Sequence, residues 1–173
     1  MDSDSFNQRM LDDLYLEMIR YFDQDVTRIQ HFVKVHSLAR LIAVGENMDA
    51  ASLYILQAAA LTHDIGIKPA EEKYGCSNGK MQEQEGPIVA QHMLKQLGFD
   101  NYVIDRICFL IGHHHTYDNI DGLDYQILVE ADFLVNIFEE HYSDTELVQV
   151  YHNIFVTETG KMIFRKMYGS VDD

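Results

Sequence analysis

The chain has 173 residues, with 28 acidic against 13 basic side chains for a formal charge of -15, 47% hydrophobic residues, two cysteines and no tryptophan. That length suits one ordinary domain around its own core, and the composition excludes a disordered or fibrous chain. A surface this negative repels phosphate backbones and so excludes extended nucleic-acid binding, while a small anionic substrate would need a locally positive site of the kind a bound cation supplies.

Apolar residues recur at helical rather than alternating spacing, and proline occurs only at Pro69 and Pro87, so the fold class predicted is all-α, a single-domain helical bundle with short loops. In chain order the predicted helices run over about 5–22, 26–46, 50–65, 85–97, 101–114, 124–140, 145–155 and 160–167, with ends uncertain by roughly two to four residues. Asp25 and Asp144 are expected to cap the second and seventh of these, and Gly98 to stop the fourth. Residues 73–80, KYGCSNGK, are rich in turn formers and are expected to form an exposed loop or lid. The domain is taken as 1–173, with a core of motifs over 26–140 and C-terminal helices over 141–173 packing on it.

The greasiest stretch, 53–61, is short and interrupted by Gln57, well below the roughly 18 uninterrupted apolar residues of a membrane span. The opening MDSDSFNQRM lacks the basic-then-apolar layout of a secretory signal, and Cys76 and Cys108 are the only cysteines. A reducing, cytoplasmic location without structural disulfides is the expectation.

The segment 50–65, ASLYILQAAALTHDIG, is apolar on nearly every side and belongs at the centre of the bundle. It ends in His63 and Asp64, and a carboxylate buried there loses its hydration unless it finds a partner. A metal ion would satisfy both side chains. Adjacent helical residues diverge by about 100°, so the pair converges only on something beyond the helix end, where Gly66 lets the chain turn away. His31 lies four residues before Val35 and seven before Leu38, on the inward stripe of its helix. Asp132 follows Leu128 by four and precedes Val135 by three, which puts a carboxylate on another inward stripe. Two imidazoles and two carboxylates form a borderline-to-hard ligand set suited to iron, manganese, zinc or similar ions, with positions left open for water or substrate.

The runs RIQHFVKV, AALTHDIG, HHH and VEADFLV, in that order, resemble the HD superfamily of metal-dependent phosphohydrolases, whose signature is H, then HD, then D. The resemblance spans most of 26–140. It implies His31, His63, Asp64 and Asp132 as ligands of a divalent ion (iron, manganese, nickel, cobalt, zinc or magnesium) and hydrolysis of a small phosphate ester, of which nucleotides are the family's commonest. Asp64 would hold the ion and orient the water, His114 or Lys68 would touch the phosphate, and Glu85 would accept a proton. Two departures stand out. Many members read HDIGK where this chain reads HDIGIK, which moves the lysine to Lys68. Gln82 stands where members with two metals carry a further histidine, leaving Glu85 or a histidine of the 113–115 run as the substitute. Within that run, His114 follows Leu110 by four and Ile107 by seven and is the first choice for the site.

Other residues have plainer explanations. His36, His92, His141 and His152 lack motif support. GCSNGK lacks the spacing and the hydroxyl of a phosphate-binding loop. The methionines fill core gaps. Asp132 has a competing assignment as the partner of Arg28 or Arg106. Two further functional classes stay open, a di-iron oxygenase of the same superfamily and a non-catalytic metal- or ligand-sensing module, as does a homodimer.

Overall fold

A computed structural model describes residues 3–170; the ends of the predicted domain and of the predicted amino-terminal reading, 1–2 and 171–173, lie outside them. The described residues form nine helices: α1 Ser3–Phe22, α2 Val26–Gly45, α3 Ala50–Thr62, α4 Ile67–Tyr74, α5 Gly79–Leu97, α6 Asn101–Ile111, α7 Leu123–Glu139, α8 Asp144–Ile154 and α9 Glu158–Tyr168. There is no strand among the described residues, and none of their helices is long and apolar enough to cross a membrane.

Helix α3 is the axis. Every residue from Ile55 to Thr62 is buried, and α1, α2, α6 and α7 pack around it. The run Ala58, Ala59, Ala60 leaves little side chain between backbones, so the surrounding helices approach closely where the motif residues follow. Each fully buried Leu or Ile here, such as Leu56, Leu61, Ile42 or Leu128, contributes roughly 1.5–3 kcal/mol through removal from water. The face of α2 carrying Phe32, Val35, Ala39 and Ile42 closes against α3 and α7, while α8 and α9 pack on α7.

Asp25 caps α2 by accepting from Arg28 N at 3.1 Å, and Gly98 ends α5 in the left-handed region at φ 89°. Three expectations are corrected. The cap of α8 is Ser143 rather than Asp144: the Ser143 hydroxyl accepts from Glu146 N while Glu146 reaches back to Ser143 N, a capping box that outcompetes a lone aspartate. The exposed loop or lid expected at 73–80 is exposed but only half loop, because α4 runs through Tyr74 and α5 starts at Gly79 behind the Asn78 cap, leaving a link of four residues, 75–78. Pro87 therefore lies inside α5 rather than in its first turn. Finally, α6 stops at Ile111, so His113–His115 belong to the turn that follows it.

Gly66 also differs from expectation. Its backbone is helical (φ -72°, ψ -13°), so freedom to turn is not its contribution. A Cβ there would overlap the Gln82 carbonyl and press on Gly86 N at 2.8 Å. Glycine lets the start of α4 touch α5 backbone to backbone.

Candidate metal centre

Three elements deliver the cluster. Mid-helix on α2, His31 faces inward; His63 forms the end of α3 with Asp64 next; Asp132 projects from the middle of α7. The structure brings all four together. His31 Nε2 lies 3.2 Å from His63 Nε2, 3.1 Å from Asp132 Oδ1 and 3.4 Å from Asp64 Oδ2. His63 Nε2 lies 3.5 Å from both carboxylates. Arg28 and Arg106 are committed elsewhere, Arg28 to Asp25 and Glu71 and Arg106 to Asp121 and Asp124, so neither is the partner of Asp132.

The tautomers are fixed by the other ring nitrogens. His63 Nδ1 donates to Ala60 O at 2.9 Å, and His31 Nδ1 donates to the Glu139 carboxylate at 2.8 Å. Both Nε2 lone pairs are thereby aimed at the same point, a repulsive arrangement unless a proton or a cation lies between them. Electrostatics agree. Burial disfavours a charged His31, yet its contacts with Asp132, Asp64 and Glu139 push its pKa up to about 10. Asp132 and Asp64, which burial alone would neutralise, are held below the usual carboxylate range by His31 and His63, with His114 adding to the effect on Asp64. Two ionised carboxylates in the interior thus require positive charge, supplied by a proton on His31 or by a metal ion in its place. The donor set fits a divalent metal.

A second group shares Asp64. His114 is buried with Nδ1 donating to Ile111 O at 2.8 Å, and its Nε2 has no hydrogen-bond partner among the described residues, the nearest carboxylate oxygen being Asp64 Oδ1 at 3.5 Å. A buried nitrogen beside a carboxylate and left unsatisfied is free to take up a ligand. One ligand atom each of Asp64, His114 and His115 lie mutually within 4.8 Å, as do those of His31, His63 and Asp64. Burial, reinforced by His114, lowers His115 to about 4, which keeps it neutral. Its ring is held by Gln82 Oε1 at 3.0 Å and its backbone N–H by Glu83 Oε1 at 3.0 Å. The Tyr125 hydroxyl lies against both the His113 and Thr116 carbonyls, which share its one proton, and pins the turn from the other side. His113 instead stacks on Phe109 at 4.2 Å, gives its Nδ1 proton to Phe109 O at 2.7 Å, and belongs to neither ligand group.

The structure does not bring Lys68 or Glu85 to the cluster. Lys68 Nζ donates to Tyr21 O at 2.8 Å and sits over the Tyr21 ring, and Glu85 is bound by Lys73 Nζ at 2.7 Å and Tyr74 OH at 2.8 Å. Helix α4, unforeseen in the sequence, is the reason: it carries Lys68 toward α1 and presents Lys73 and Tyr74 to α5. The cavity of about 230 Å³ above the cluster is lined by His31, Asp64, Asp132, His115 and also by Arg28, Gln82, Asn136 and Glu139. Helical spacing held a signal for three of the missed residues, since Arg28 precedes His31 by three and Asn136 and Glu139 follow Asp132 by four and seven. His92, His141 and His152 are exposed.

Paired imidazoles and carboxylates converging from three helices beneath an open cavity define a metal-dependent, hydrolase-type fold. The chain belongs to the HD domain family, which matches residues 28–148. HD domains bind divalent metals. Among solved structures, a predicted HD superfamily hydrolase from an uncultured Thermotogales bacterium is 26% identical with a TM-score of 0.62, over 93% of this chain and 84% of that one. Bacillus subtilis YpgQ, 16% identical with a TM-score of 0.58 over 96% and 99% of the two chains, shares the fold. No curated protein matches the sequence.

Proposed function

We propose that the chain is a metal-dependent phosphohydrolase that cleaves a small phosphate ester, with nucleotides among the candidate substrates. The observation that carries this is the convergence of the His31 and His63 Nε2 atoms with Asp64 and Asp132 at the base of a cavity that is open and roomy enough for a phosphate group. A structural ion would be enclosed on all sides by its ligands.

His31, His63, Asp64 and Asp132 would hold a divalent ion, which when bound would supply Lewis-acid polarisation and a lowered pKa of water. The chain's own residues do the rest. Arg28, on the cavity wall and paired there with Asp25 and Glu71, would bring positive charge against phosphate oxygens by exchanging one of these carboxylates for the substrate. Asp64 turns Oδ2 to His31 and His63 and Oδ1 to His114, so one carboxylate ties the two ligand groups together. His114 Nε2 would hold either a second ion or a phosphate oxygen, and Asn136 offers an amide to the substrate. Lys68 and Glu85 have no part in this mechanism.

The test is a panel of nucleotides and phosphate esters incubated with purified protein and Mn²⁺, Co²⁺, Fe²⁺, Ni²⁺, Zn²⁺ or Mg²⁺, beside His63→Ala and Asp64→Ala. Hydrolysis by the wild type, with loss of both metal retention and activity in the variants, is expected; a complete negative panel defeats the proposal. The two ligand groups sharing Asp64 also suit an oxidative di-iron reaction, for which oxygen consumption is the discriminating measurement.

A further inference from the structure

The three buried imidazoles of the centre are not oriented by equivalent acceptors. His63 and His114 each give the Nδ1 proton to a neutral backbone carbonyl of their own turn, Ala60 O and Ile111 O. His31 gives its proton to a carboxylate, Glu139 Oε2 at 2.8 Å, and the other oxygen of that carboxylate is held by Lys34 Nζ at 2.5 Å. Lys34 is one turn beyond His31 on α2, and Glu139 is two turns beyond Asp132 on α7, so both helices that supply ligands also supply this chain of contacts.

We propose that Glu139 is the positioning residue of the metal centre: anchored by Lys34, its carboxylate fixes His31 as the Nδ1–H tautomer and makes Nε2 the strongest imidazole donor to the bound ion. A carboxylate behind a metal-bound imidazole both locks the ring and raises its basicity, and removing such a partner typically lowers metal affinity 10–100-fold. A backbone carbonyl supplies the orientation with less of the added basicity. Lys34 keeps Glu139 from swinging into the cavity, where it would compete as a ligand, and offsets one of the three carboxylate charges near the ion. The alternative is a plain ion pair that clips α2 to α7.

This inference rests on the cation reading above, and the experiment separates the two. Zn²⁺ affinity is measured by competition with a chromophoric chelator for wild type, Glu139→Gln and Lys34→Met, together with the ring ¹⁵N signals of His31 in the Zn²⁺-loaded wild type. Glu139→Gln preserves shape and an acceptor but not the charge, and is expected to weaken Zn²⁺ binding about tenfold or more. Lys34→Met, which breaks the same interhelical pair, should lower the Tm with a much smaller effect on affinity. The His31 signals should show a protonated Nδ1 and an unprotonated Nε2. Equal affinities for wild type and Glu139→Gln, or an Nε2–H tautomer, overturn the role of Glu139 while leaving the metal centre standing. If the wild type binds no Zn²⁺, both readings fall. Should Glu139→Gln not fold, the wild-type ring signals decide.

Discussion

Glu130 and Gly160 are in contact so close that a methyl group on Gly160 would overlap the Glu130 carboxylate. Glu130 is fully buried on α7 with no ion pair among the described residues; it accepts instead from Val156 N at 2.7 Å, Thr157 N at 2.9 Å and Gln126 Nε2 at 2.8 Å on one oxygen and from the Thr157 hydroxyl at 2.5 Å on the other. It thereby fastens the α8–α9 turn to the helix that carries Asp132. Gly160→Ala should destabilise the protein by about 1–3 kcal/mol, the usual penalty for overpacking, seen as a lower midpoint in urea. An unchanged midpoint would mean that the turn yields freely and that this contact does not position α9.

A second glycine acts on the site itself. The Cβ of Gly66→Ala would meet the backbone of α5 at Gln82 and Gly86, the stretch whose Gln82 and Glu83 side chains hold His115. The variant should lose roughly 1–3 kcal/mol of stability and shift the ring resonances of His115 more than those of His31. Resonances that move equally, or not at all, would show that α5 does not position His115.

Arg28 and Lys68 offer a direct comparison of two cations near the motif. Arg28 lines the cavity while paired with Asp25 and Glu71, whereas Lys68 is turned to the Tyr21 carbonyl and ring and does not line it. Arg28→Ala should raise KM for a phosphate ester about tenfold or more, the equivalent of losing a charge-assisted contact of roughly 1.5–3 kcal/mol. Lys68→Ala should leave kcat/KM within about twofold while costing about 1 kcal/mol of stability. Steady-state kinetics and thermal unfolding of both variants decide, and the opposite ranking in kcat/KM would restore Lys68 as the phosphate contact.

His36 gives the fold a pH dependence separable from the metal centre. Its ring packs edge-on against Tyr15 at 5.4 Å, and burial, reinforced by Arg40 and only partly offset by a bond with Gln57, holds its pKa below the usual 6.5. Because the folded ring resists a proton that the unfolded chain accepts, the unfolded state binds more protons as pH falls below about 6.5. The stability His36 contributes is therefore complete above that pH and lost as pH falls toward the lowered folded pKa. Relative to His36→Phe, the wild type should weaken between about pH 7 and pH 5; a wild-type-minus-variant difference that stays flat across that range contradicts the assignment.

Much of the scaffold was legible because its signals are local. The apolar surround of 50–65, the inward stripes that contain His31 and Asp132, and the caps Asp25 and Gly98 each depend on residues within a turn or two of one another. Helix α4 was missed because turn formers at 75–79 masked its end and the Asn78 cap of the next helix. Residues 112–114 were read as the end of α6 because Leu110 and Ile111 continue the apolar spacing up to the break at Gly112.

By itself, then, the sequence determined that helices would form, which faces would be buried, and that four side chains able to hold a metal would occur at inward positions in the order H, HD, D. Only the tertiary structure decided which neighbours complete the centre: Arg28 rather than Lys68 at the cavity, Gln82 and Glu83 at His115, and Glu139 behind His31. Those choices depend on where side chains point across helices, between residues as far apart as 31 and 139. A helical repeat fixes direction only within its own helix, and the packing of one helix on another is settled by the whole core at once.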